Sequence, residues 1–121
     1  MSAFDDLSEI VPLRIWDGVV GHPVDGDQLT LTLIDLAAGS VVPEHSHANE
    51  QVGILLRGSL TFRIGDETRE LVRGGAWCIR AHVPHEVRTG PDGATLVEAF
   101  APARSDWAAL ERLDPGSPPA F

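Results

Sequence analysis

The sequence predicts an all-β chain folded as an antiparallel sandwich or barrel. Apolar and polar residues alternate in the strand period of two, and turn signals recur about every 8 to 12 residues between Asp27 and Phe100. Only one stretch has helical spacing, so the strand–helix alternation of a parallel sheet is missing.

Residues 1–18 read as an N-terminal arm or edge strand, and 19–104 as the barrel. Leu29 to Leu33 alternates cleanly and closes at Ala37 to Ser40. Val52 to Leu56 is a second strand, ending at Arg57 and Gly58. Leu60, Phe62 and Ile64 form a third, and Gly65, Asp66 and Glu67 make a hairpin loop before Thr68 to Val72. Arg73 to Gly75 turns the chain into Ala76 to Ile79. Gly90 to Gly93 separates Glu86 to Arg88 from a last strand, Ala94 to Phe100. Ser105 is placed to cap one short C-terminal helix over 105–113, with Asp106 near its positive end and Trp107, Leu110 and Leu113 as the apolar stripe. The proline-rich segment 114–121 reads as a disordered tail.

Composition narrows the function. A chain of 121 residues makes one domain, large enough to hold together without a structural metal. Its net charge of −9 repels phosphate backbones and anionic membranes, so the expected partner is a small molecule. All basic residues are arginine and tyrosine is absent, which excludes lysine Schiff-base chemistry and a phenolic acid or base. One cysteine, Cys78, permits no internal disulfide and reads as a small packed residue. With an acidic N-terminus and no apolar run near the ~18 to 20 residues that span a bilayer, a soluble, cytoplasmic protein is expected.

The stretch Pro43 to Gln51 holds two of the five histidines, His45 and His47. On a strand, residues two apart share a face, so both rings would enter one space and supply two nitrogen ligands to one metal. Two imidazoles bind weakly alone, and the completing ligands must come from elsewhere.

Two segments provide them by resemblance. Gly39, His45, His47, Gln51 and Gly58 in the first, with Gly74, Arg80, His82 and His85 in the second, have spacings that resemble the paired motifs of the cupin superfamily. Arg80 stands where that family usually has proline, and His82 where it often has glycine or asparagine. The resemblance runs from about Val19 to Arg104. It implies a jelly-roll barrel and a metal held by His45, His47, Gln51 and His85. Many cupins use glutamate where this chain has Gln51, and a neutral ligand leaves the ion a stronger Lewis acid. The ligand set suits zinc, nickel, iron, cobalt or manganese alike.

In the last strand Leu96, Glu98 and Phe100 share one face, placing a carboxylate among apolar residues where it needs a partner or a purpose. The run from Glu98 through Phe100, Pro102 and Arg104 to Asp106 and Trp107 resembles the end of small cupins related to the pectin-degradation protein, although that group more often has aspartate at the position of Glu98. The resemblance implies opening of an unsaturated monouronate ring, with Glu98 moving the proton, Arg104 and Phe100 meeting the substrate, and Arg104 holding its carboxylate. A salt bridge at the barrel rim is the alternative role for Glu98. Two other functions suit the same barrel: an iron-dependent dioxygenase and a non-catalytic metal-bearing sensor. The family further implies a homodimer paired through edge strands. His22 reads as a loop residue, Glu44 as a rim charge or ligand-orienting group, and Trp16 and Trp77 as core or dimer contacts.

Overall fold

Two long strands organise the molecule because each belongs to both faces of the barrel. In the computed structural model, which describes residues 2–116, the strands are β1 (Leu13–Trp16), β2 (Val19–Asp25), β3 (Thr30–Leu36), β4 (Val41–His45), β5 (Glu50–Ile64), β6 (Glu67–Val72), β7 (Ala76–Ile79), β8 (His85–Ala101) and β9 (Glu111–Arg112). All pairings are antiparallel. The main path runs β6-β5-β8-β3-β2-β1-β9, with β4 on β8 and β7 on β5. The first half of β8 pairs with β4 and the end of β5, and its second half with β3 and the start of β5. This is a jelly-roll barrel.

Four of the short strands expected from the sequence are therefore two bent ones. Gly58 lies at the bend of β5, between two register shifts, with φ of 81°. A Cβ there would stand 1.9 Å from the Gly93 carbonyl oxygen, so the crossing of β5 and β8 requires glycine.

Inward residues of both faces form the main core, including Val19, Ile34, Leu36, Leu55, Leu60, Phe62, Trp77 and Leu96. Leu13, Phe100 and Trp107 form a second, smaller cluster.

The C-terminal helix expected over 105–113 is a single 3-10 turn, Ser105–Ala109. Ser105 does not cap it; the cap position falls on Arg104 and carries no side-chain bond. So short a helix has little stability of its own, and tertiary contacts win. Trp107 is buried against Leu13 and Phe100, and Glu111–Arg112 pairs with β1. β1, within the segment read as an arm, thus lies between β2 and β9. Residues 117–121 of the expected tail lie outside the described residues.

Two further expectations change. His22 is buried in β2 rather than set in a loop. Cys78 is exposed, because alternation along β7 sends Trp77 and Ile79 inward and Cys78 out. No helix among the described residues is long and apolar enough to cross a membrane.

Candidate metal centre

Three histidines from different segments meet at the mouth of the barrel. His45 ends β4, His85 opens β8, and the two are register partners. His47 lies just beyond β4, in the loop before β5, so strand alternation alone does not aim its ring. A bond between its Nδ1 and the Asn49 carbonyl, 2.9 Å, does so. Asn49 in turn donates to the Pro102 carbonyl at 2.6 Å, fastening this loop to the segment after β8.

Each ring is oriented in the same way. Nδ1 of His45 lies 2.8 Å from the Pro43 carbonyl, and Nδ1 of His85 2.8 Å from that of Val83. A carbonyl only accepts, so all three rings carry hydrogen on Nδ1, and Nε2 is the nitrogen available to a metal in the neutral ring. One ligand nitrogen from each ring falls within 4.8 Å of the others. Nε2 of His85 is buried with no hydrogen-bond partner. Burial holds His85 down at about 4, well below its ordinary 6.5, and lowers His47 as well, with the Arg104 charge adding to the effect. Both rings are neutral near pH 7, the form that binds metals.

Gln51, near the start of β5, extends the cluster. Its side-chain nitrogen donates to Oε1 of Glu98 at 2.7 Å, which turns its Oε1 toward Nε2 of His47, 3.1 Å away. Two lone pairs face each other across that gap, with no hydrogen between them. A cation among the three histidines relieves the conflict, so the donor set fits a divalent transition metal. Glu50, one residue earlier, is exposed on the opposite face.

Glu98 is 6% exposed. Its Oε1 accepts a second bond, 3.1 Å, from the indole Nε1 of Trp77. Both bonds favour the carboxylate, but burial outweighs them and pushes Glu98 up to about 7. Both donors meet Oε1, and Oε2 has no hydrogen-bond partner among the described residues. The rim salt bridge considered for Glu98 is absent among the described residues; its partners are an amide and an indole.

Arg104 stacks over the rings of Phe100 and Trp107, 4.8 and 4.6 Å from their centroids. Its Nε and Nη2 grip the Asp106 carboxylate at 3.1 and 3.0 Å, holding Asp106 below the usual carboxylate range. One edge of the guanidinium is thus engaged and Nη1 is not. Phe100 also meets His47 edge-on, at 5.9 Å, and the Trp16 ring lies 5.4 Å from that of His45. Glu44 pairs with Arg63 at 2.7 Å and touches none of the histidines through its carboxylate.

Three contributors escaped the sequence reading: Trp77 as a donor to Glu98, Asp106 as the clamp on Arg104, and Asn49 as the loop tie. The spacing of Arg104 and Asp106, two apart before an aromatic, was a visible hint for one of them. A cavity of about 370 Å³ is lined at its mouth by His45, Gln51, His85, Glu98, Phe100 and Arg104.

A jelly-roll barrel with three convergent histidines at its mouth defines a class of small, candidate metal-binding β-barrel proteins. The chain belongs to the cupin family: the family described as "Cupin domain" matches residues 32–99. It is 28% identical over 82 residues to the pectin degradation protein KdgF of Dickeya dadantii, a match covering 67% of this chain and 74% of that protein. Among solved structures, an RmlC-like cupin from Shewanella frigidimarina superposes with a TM-score of 0.80 at 22% identity, covering 88% of this chain and 96% of the other. KdgF from Halomonas sp. superposes with a TM-score of 0.78 at 21% identity, covering 88% and 98%. The chain is thus a cupin resembling the pectin-degradation group.

Proposed function

We propose that this cupin is a divalent-metal-dependent enzyme that opens the ring of a small anionic sugar derivative such as an unsaturated monouronate. The observation that carries the reading is the wiring of Glu98, a buried carboxyl poised near neutrality and bonded directly to Gln51 of the metal cluster. The likeness to pectin degradation proteins supports the substrate class.

His45, His47, Gln51 and His85 are the proposed ligands. When bound, the metal supplies Lewis acidity toward a substrate oxygen. Arg104, steadied by Asp106 and the two rings, offers its remaining donors to the substrate carboxylate, and Phe100 forms an apolar wall beside it. Glu98 takes the proton of the hemiacetal hydroxyl as the carbonyl forms and the ring C–O bond breaks. The ring oxygen leaves as an enolate, and Glu98 returns the same proton to its carbon as the enolate becomes a ketone. The reaction is an isomerisation with no net redox change. A group that titrates near 7 serves both steps.

The test is to load the protein with a divalent metal, confirm occupancy, and follow the ultraviolet absorbance of an unsaturated monouronate. Metal-dependent loss of the conjugated alkene signal is expected, with Glu98→Gln slower by about 10²-fold or more. No loss in the loaded protein removes the uronate assignment. Oxygen uptake with ferrous iron would then favour a dioxygenase.

A homodimer is proposed through the outer sheet face rather than an edge. Val24, Leu31, Ala99 and Val52 align in one row across β2, β3, β8 and β5, and Leu33, Val97 and Ile54 in the next. Neither row contains an acidic residue or an arginine, although the second begins on β2 at the buried His22, and this suits association of two acidic chains. The strands ending the main path, β6 and β9, carry Glu67, Arg69, Glu70, Glu111 and Arg112, charges that discourage edge pairing.

A further inference from the structure

The cavity does not stop at the histidines. Its deep half is lined by Val19, Ile34, Leu36, Phe62, Val87 and Leu96. Register gives the depth. Phe100 on β8 is level with Gln51 at the mouth, Glu98 is opposite Gly53 one layer in, and Leu96 lies opposite Leu55 and Ile34 a layer further. Four residues of strand, roughly 13 Å at ~3.3 Å each, separate Phe100 from Leu96. No side chain among those six carries a polar atom. Small barrels usually fill their interior with side chains. Here the whole cavity has the volume of roughly a dozen waters at ~30 Å³ apiece, and its deep walls give water no hydrogen-bond partners.

The positions of the polar groups sharpen this. His45, Gln51 and His85 occupy the mouth, and Glu98 sits at the boundary, with apolar wall beyond it. An unsaturated monouronate bears oxygen on all but one of its carbons, so its partners lie at the mouth and it has no apolar group to fill the chamber.

We propose that the chamber is a ligand subsite, and that this centre also accepts molecules carrying a compact apolar group, branched alkyl or aryl, inserted past Glu98 toward Leu36 and Leu96. The oxygen-bearing head remains with the histidines and Arg104. The inference rests on the proposed metal centre for the head group and is independent of uronate turnover.

Isothermal titration of the zinc-loaded protein with acetate, butanoate, hexanoate and phenylacetate tests it. Affinity is expected to rise about fourfold per added methylene from acetate to hexanoate, with phenylacetate far above acetate. Leu36→Phe and Val87→Phe, which fill the chamber, are expected to abolish that gain and leave acetate affinity unchanged. Equal affinities for acetate and hexanoate in the unaltered protein would overturn the proposal. Crystals pressurised with xenon give a reading independent of carboxylate binding and of the variants' folding. Xenon between Phe62 and Leu96 supports the chamber, and density for ordered water there in its place overturns it. If acetate fails to bind at all, the metal-centre reading has failed, and the xenon result decides the chamber alone.

Discussion

Burial sets two titrating residues of the site against each other. In the metal-free chain Glu98 titrates near 7, above its ordinary 4.5, so the folded state holds that proton more tightly than the unfolded state. Its stabilising contribution is complete below about 4.5 and is lost as pH rises through 7. His85 runs the other way, since its folded value near 4 lies below 6.5: its contribution is present above 6.5 and lost as pH falls toward 4. Replacing Glu98 by glutamine removes only the first dependence. Relative to wild type, metal-free Glu98→Gln should gain roughly 1 to 3 kcal/mol between pH 5 and pH 8. Denaturant titrations at the two pH values measure the difference, and an equal offset at both would contradict the burial of a titrating carboxyl. His82 offers a second residue-scale test. It is exposed with φ of 66°, and its N–H donates to the His47 carbonyl at 2.8 Å. Glycine and asparagine adopt this conformation more readily than histidine does. His82→Gly should stabilise by about 1 kcal/mol, raising the melting temperature while leaving zinc affinity unchanged.

Among the elements, β5 and β7 act together on Glu98. Gly53 is opposite both Trp77 and Glu98 in the pairing, and a Cβ at Gly53 would lie 2.5 Å from the Trp77 ring and 2.7 Å from its Nε1. The glycine is what lets the indole lie flat against β5 and reach the carboxyl. Gly53→Ala should displace the indole, remove a bond that favours the charged carboxylate, and move the apparent pKa of turnover upward. Trp77→Phe should reproduce that shift without crowding the backbone. If the pH profile stays fixed in both variants, the indole bond has no part in tuning Glu98. At this scale the alternation of apolar residues made β3 legible, and the turns at Gly65 to Glu67 and Arg73 to Gly75 marked β6 and β7. The long strands were not, because Gly58 and the segment Gly90 to Gly93 read as chain reversals when they are bends within β5 and β8. A glycine permits either outcome, and the neighbouring strand selects one.

For the whole molecule the open question is the apolar outer face. Light scattering should give twice the 13.0 kDa chain mass, and a charge placed on the face, as in Val52→Glu, should return it to the monomer. Dimers that persist in Val52→Glu but dissociate when β6 is altered would restore edge pairing.

Read alone, the sequence determined the strand content, the jelly-roll family and the identity of the clustered histidines, Gln51 and Glu98. Those features depend on residue type and on spacings along the chain, which alternation and motif register preserve. Only the tertiary structure decided that His47 is aimed by Asn49 rather than by a strand, that Trp77 and Gln51 both bond Glu98, and that Asp106 occupies one edge of Arg104. It likewise decided that an apolar chamber continues beneath the site. The reason is distance along the chain. Glu98 lies 47 residues from Gln51 and 21 from Trp77, and the packing of separate strands, not local sequence, brings such groups within hydrogen-bond reach.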